Sequence, residues 1–185
     1  MGVARATLEA MKVSGPVLRQ RDGITCGPTV ALVAGMLLDP RRRTAMADAA
    51  WFAAEQGRVH AEANRVWPRR LGTTPRGLIR ALGAQGARYR WRLFRGRGDA
   101  LADVRDAVAD GWPVPMLVGR GVPRHWVLIV GVGDAWFDVY EPSSGQVRRI
   151  EIDSVRGARL RGLGFSRPFG FVLPIRERHR DVRAL

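Results

Sequence analysis

The chain of 185 residues holds a single cysteine, Cys26. That excludes an intramolecular disulfide and any metal site built from several thiolates. Its three histidines, His60, His125 and His179, have no zinc-ligand spacing. No stretch approaches the roughly 18–20 apolar residues that span a bilayer. Residues 1–14 carry Arg5 and Lys12 but no apolar core of a signal peptide, so a cytoplasmic protein is expected. A phosphate-binding Gly-Lys motif is missing, and Gly131-Val-Gly133 lacks the rest of a dinucleotide fingerprint. No serine sits in a Gly-x-Ser-x-Gly elbow. Neither a cofactor nor a metal is expected.

Lysine is almost absent too. Lys12 is the only one among 31 basic residues, set against 17 acidic ones for a net charge of +14. Such a charge suits an anionic partner. Arginine bias with heavy Ala, Gly and Val usage fits a GC-rich genome equally well. What remains is an ordinary globular composition, 46% hydrophobic, at a length that buries one core.

The pattern predicts helices first. Asp22-Gly23 signals a turn and Pro28 suits a first helical turn, so a buried helix is predicted over about 27–38, ended by Asp39-Pro40. A weak helix over 1–19 precedes it, broken by Gly15-Pro16. A second helix is predicted over 44–57, with Ala47, Ala50, Trp51 and Ala54 on one face, and a short one near 60–66. Thr74-Pro75 opens another over 75–85, and Asp99 is read as the cap of one over 100–110. Between them, residues 88–94 alternate Arg88, Arg90 and Arg92 with Tyr89, Trp91 and Leu93, as a half-exposed strand does.

Strands follow at 113–118, at 126–132 (a central one, being apolar without a break), at 135–140 and at 146–152, with a last one at 170–175. Helices followed by an antiparallel meander indicate α+β. One domain is expected over 1–185, with a core of about 16–175 and peripheral ends at 1–15 and 176–185.

A lone thiol is core filler or chemistry. A thiol attacks only as thiolate, a form favoured at a helix N-terminus and beside a histidine. Cys26 stands at the first site, and His125, at the start of the apolar strand after the loop 119–124, can supply the second. The acid that orients the imidazole is Glu141 or Asp138. With a two-residue turn at 133–134, Asp138 shares the face of His125 and Glu141 the opposite one; one extra residue reverses that. Geometry at this stage leaves both open. Gln20 is an available donor for an oxyanion.

These residues resemble a family. Gln20-x5-Cys26-Gly27-Pro28, followed by an apolar helix, is similar to the papain-like bacteriocin-processing peptidases, the double-glycine leader peptidases and their stand-alone relatives. His125-Trp126-Val-Leu-Ile-Val-Gly131, with Val139-Tyr140-Glu141-Pro142 and Gly145, resembles their second block. So do Thr73-Thr74-Pro75 and Gly111-Trp112-Pro113-Val114. The likeness covers residues 18–150. It implies a papain-like fold, N-terminal helices packed on a C-terminal antiparallel sheet, in a stand-alone domain. It also implies a cysteine peptidase with Cys26 as nucleophile, His125 as base, the acid at Glu141 and Gln20 in the oxyanion hole, acting on a peptide or protein without a cofactor. The family has Asp where this chain has Glu141, which keeps Asp138 as the substitute.

Other readings compete. The same site serves deamidation, transglutaminase-like transfer or ligation. A non-catalytic peptide- or anion-binding module would use Arg41-Arg42-Arg43, Arg65, Arg69-Arg70 and the stretch from Arg88 to Arg97 with Tyr89, Trp91 and Phe94. A nucleic acid is the less favoured partner, because the alternation sets the arginines opposite the aromatics.

Overall fold

The computed structural model describes residues 18–65 and 68–175. Most of the helix predicted over 1–19, and the charged tail with His179, lie outside them.

Six helices and six strands follow in chain order among the described residues: α1 Cys26–Leu38, α2 Arg43–Met46, α3 Ala49–Ala63, α4 Pro75–Ala84, β1 Tyr89–Leu93, α5 Ala102–Ala109, β2 Val114–Gly119, β3 Pro123–Val132, β4 Trp136–Glu141, β5 Gln146–Glu151, α6 Ile152–Arg156 and β6 Arg167–Pro174. The strands form one antiparallel sheet in the order β1-β6-β2-β3-β4-β5. Strands β2 to β5 are the expected meander. The last strand does not extend it at an edge, however; β6 enters between β1 and β2. This makes β1 and β5 the edges and leaves β3 inside, as its unbroken apolar run requires.

Two cores result. On one face, α1, α3 and α4 pack with Leu117, Trp126, Leu128, Val130 and Tyr140. On the other, α5 and α6 pack with Val127, Ile129, Phe137, Val139 and Phe171. The expected layer of N-terminal helices therefore covers only one face of the sheet. Helix α1 is buried from Cys26 to Met36; an element apolar all round is a core element.

Three local expectations change. The helix predicted over 44–57 breaks at Ala47, because the Asp48 carboxylate accepts the N–H groups of Ala50 and Trp51 at 2.8 and 3.0 Å and starts a new helix. That helix, α3, runs to Ala63 and absorbs the short one predicted near 60. Its inward face is Phe52, Gln56, Val59, His60 and Ala63, while Trp51 is 39% exposed. The alternation in β1 also fails at its end, where Arg92 is buried and Leu93 exposed. Finally, Asp99 does not cap α5; Leu101, at φ +54°, holds that position.

Arg92 turns inward because two carboxylates meet it. Asp99 pairs with both terminal nitrogens of the guanidinium, and Asp103 stands 2.9 Å from its Nε. Asp99 also accepts the N–H groups of Arg95 and Leu101, at 3.0 and 3.1 Å. Burial opposes the charge on Asp99, but these bonds lower its pKa to about 2. Arg92→Ala would leave a buried carboxylate without its cation. We expect a loss of about 3–5 kcal/mol of stability, read by chemical denaturation; a change under about 1 kcal/mol would show the cluster to be ordinary surface pairing.

Candidate functional site

The site begins at the turn before α1. Asp22 Oδ1 accepts the Ile24 N–H at 3.0 Å, and Thr25 Oγ1 lies 3.4 Å from Asp22 N. Thr25 occupies the N-cap without a side-chain cap bond. The first-turn N–H groups, Pro28 having none, thus leave the positive end of the helix dipole beside Cys26. Cys26 itself is 4% exposed. Behind it, a Cβ on Gly27 would stand 2.6 Å from Thr73 Cβ, so only glycine lets the loop before α4 pass so close. The carbonyl of Thr73 accepts the indole N–H of Trp126 at 2.8 Å. One loop therefore touches the neighbours in sequence of both Cys26 and His125.

His125 lies on β3 opposite Val118 and is buried. Its Nε2 stands 2.9 Å from Glu141 Oε1, and the Cys26 side chain lies near enough to the same ring to raise its pKa. With Nε2 turned to the carboxylate, Nδ1 is the nitrogen left for sulfur. The face of the imidazole stacks on Phe165, with ring centroids 5.1 Å apart and planes 18° from parallel.

Electrostatics follow from these contacts. Burial alone would lower the pKa of His125, but the hydrogen bonds and charges of Cys26 and Glu141 outweigh it and raise it from 6.5 to about 9. Burial likewise opposes the charge on Glu141. The bond to His125 and those from the Ser143 and Ser144 N–H groups, each 2.8 Å long, hold it well below the usual carboxylate range. Glu141 therefore stays ionised, and an ionised carboxylate favours an imidazolium.

The choice between two acids is made by register. The β3–β4 hairpin closes with Gly133 N–H donating to Trp136 O at 2.8 Å, so the loop is Asp134-Ala135. Pairing runs Val132↔Phe137 and Gly131↔Asp138, then resumes as Ile129↔Val139 and Leu128↔Tyr140, leaving a bulge at Val130. Relative to a turn at 133–134, the register near His125 moves by one residue. That brings Glu141 to the face of His125 and sends Asp138 to the other. Asp138, the substitute acid, is not brought to the imidazole; it lies 3.5 Å from Arg149 Nε and packs on Gly131.

Gln20 is near both halves of the site. Its N–H donates to Pro142 O at 2.8 Å and its Oε1 accepts from Ser143 Oγ at 3.3 Å. Its Nε2 donates to Asp22 O at 2.6 Å, which leaves the second amide hydrogen unassigned. Gln56, which the sequence reading did not single out, holds this segment. It accepts from Arg21 N at 2.8 Å and donates to Arg19 O at 2.9 Å, bracketing Gln20. The available signal was a glutamine spaced four residues from Phe52 on the apolar stripe of α3. Ser143, Ser144 and Phe165 were missed as well; nothing local marks them. His60 lies buried on α3.

No protein-family profile matches the chain, and no curated protein matches it. Solved structures do. The peptidase domain of Streptococcus ComA, a bi-functional ABC transporter involved in a quorum-sensing pathway, is similar over 85% of this chain and 97% of that domain, at 17% identity and a TM-score of 0.51. The fold is that of this peptidase domain. A double-glycine-motif protease from an AMS/PCAT transporter, solved with a leader peptide, aligns over 86% of this chain and 91% of its own, at 12% identity and a TM-score of 0.48. The peptidase domain of Streptococcus mutans ComA aligns over 86% and 98%, at 15% identity and 0.47. Strand β6, beyond the residues 18–150 of the sequence resemblance, belongs to the same sheet. Among the described residues no helix is long and apolar enough to cross a membrane, and no cluster of His, Cys, Asp and Glu could hold a metal ion.

Proposed function

We propose that this protein is a cysteine peptidase that cleaves a peptide bond through Cys26, His125 and Glu141. The observation that carries the reading is the imidazole of His125, bonded at Nε2 to a buried carboxylate and lying beside the sole thiol, which raises its pKa. Cys26 Sγ gives its proton to His125, and the thiolate attacks the amide carbonyl. The N–H of Cys26 and the free amide hydrogen of Gln20 stabilise the oxyanion. His125 then protonates the leaving amine, and water releases the acyl group. Glu141 keeps the ring oriented and its cation stable, as the acid of a triad does. The sequence resemblance adds a substrate class, a leader peptide ending in two glycines.

Two measurements test this. Incubated with a peptide carrying a Gly-Gly site, the protein is expected to yield a free carboxylate after the second glycine, and Cys26→Ala to yield nothing. Persistent cleavage in that variant would sink the proposal, and an amide product formed with added amine would turn it towards acyl transfer. The pH profile is the second. The imidazolium is the acid for the leaving group, so kcat/KM should fall as pH rises through about 9. A fall beginning near 6.5 would mean that the ring has no such partners.

A further inference from the structure

The hydrogen bond at Nε2 leaves the imidazole of His125 free to tilt. Tilt matters here, because the N–H at Nδ1 must point first at sulfur and then at the leaving amine. A contact on the ring face removes that freedom. We propose that Phe165 is a positioning residue for the cysteine peptidase reaction, setting the plane of His125 through their stacked rings. This rests on the peptidase reading.

Phe165 is itself held from several sides. Leu160 and Leu163 are buried in the second core, and Gly164 takes φ +80°, a conformation open to glycine. Phe165 N–H donates to Leu160 O at 3.3 Å. The next residue clamps the far end, with Ser166 N–H on Gly119 O at 3.1 Å and Ser166 Oγ on Arg120 O at 3.0 Å. Gly119 and Arg120 begin the tight turn that leads into His125, where Gly119 pairs with Pro123. The segment that carries the phenyl ring is thus fastened to the same turn that delivers the imidazole. Stacking also favours the ring in its cationic form, since an aromatic face attracts a cation. Cys26 from α1 and Glu141 from β4 are the titratable groups that face His125; Phe165 adds an uncharged third side.

The test compares wild type with Phe165→Leu, which keeps apolar bulk without a ring face, and Phe165→Tyr, which restores the face. The ring C–H resonances of His125, identified by their loss in His125→Ala, are titrated by NMR. In wild type they should be displaced by the ring current of Phe165. In Phe165→Leu the midpoint should drop by about one pH unit, a roughly ten-fold weaker hold on the proton. Alkylation of Cys26 by iodoacetamide near neutral pH should slow several-fold, and Phe165→Tyr should recover both. An undisplaced wild-type resonance, or a Leu variant identical to wild type in midpoint and rate, overturns the inference. Should Phe165→Leu fail to fold, the wild-type resonance decides alone. An inert Cys26 in wild type would instead bring down the peptidase reading, whatever Phe165 does.

Discussion

A small thiol-directed electrophile is expected to modify Cys26 rapidly near pH 7 in wild type, and on the order of 10²-fold more slowly in His125→Ala. The sole cysteine makes the stoichiometry unambiguous. The physical ground is the coupling of the thiol to an imidazole that holds its proton up to about pH 9. Without that ring, the sulfur keeps only the help of the α1 N-terminus. Gln20→Ala separates two functions. Alkylation develops no oxyanion, so this variant should label like wild type yet lose about 10²–10³-fold in peptide cleavage. Equal labelling in wild type and His125→Ala would mean an inert buried thiol and end the enzyme reading.

Substitution of Glu141 should have a comparable effect on turnover. Glu141→Gln retains size but removes the charge that steadies the imidazolium, and its amide can hold the wrong tautomer. A loss of about 10²–10⁴-fold in kcat/KM is expected. Glu141→Asp keeps the charge but shortens the reach from a 2.9 Å bond, so it should fall in between. Asp138→Asn should cleave at the wild-type rate, because its carboxylate faces Arg149 instead. If Asp138→Asn were the impaired variant, the register described for β3 and β4 would be wrong. Stability reports the same pair. The His125 contribution is complete below pH 6.5 and lost as pH rises through about 9, whereas that of Glu141 is present above 4.5 and lost well into acid.

Much of this was legible in the sequence because it is local. Pro28 after a turn fixes where α1 starts, and an unbroken apolar run marks β3 as an inner strand. The spacing of Gln20 from Cys26 is likewise a property of one segment. What could not be read depends on distant partners. The bulge at Val130 selects the acid, and Gly131 beside it marks a place where a bulge can form without saying that one does. Arg92 looked like one more exposed arginine because Asp99 and Asp103 meet it only in the folded chain. Trp51 shares the predicted face of Ala47, Ala50 and Ala54, but it is Gln56 that turns inside, held by backbone groups of Arg19 and Arg21. The position of β6 was least accessible, since nothing in its eight residues says which neighbours it will have.

That position has a kinetic corollary. Strand β6 pairs with both β1 and β2, so β1 reaches the rest of the sheet only through it. A ribosome releasing this polypeptide from its N-terminal end completes Cys26, His125 and Glu141 well before residue 174 emerges. Until then the turn at Gly119 has no Ser166 to fasten it. Pairings between segments so far apart in the chain are slow to form. The turn that delivers His125 is therefore fastened only once the far end of the chain has folded back onto it.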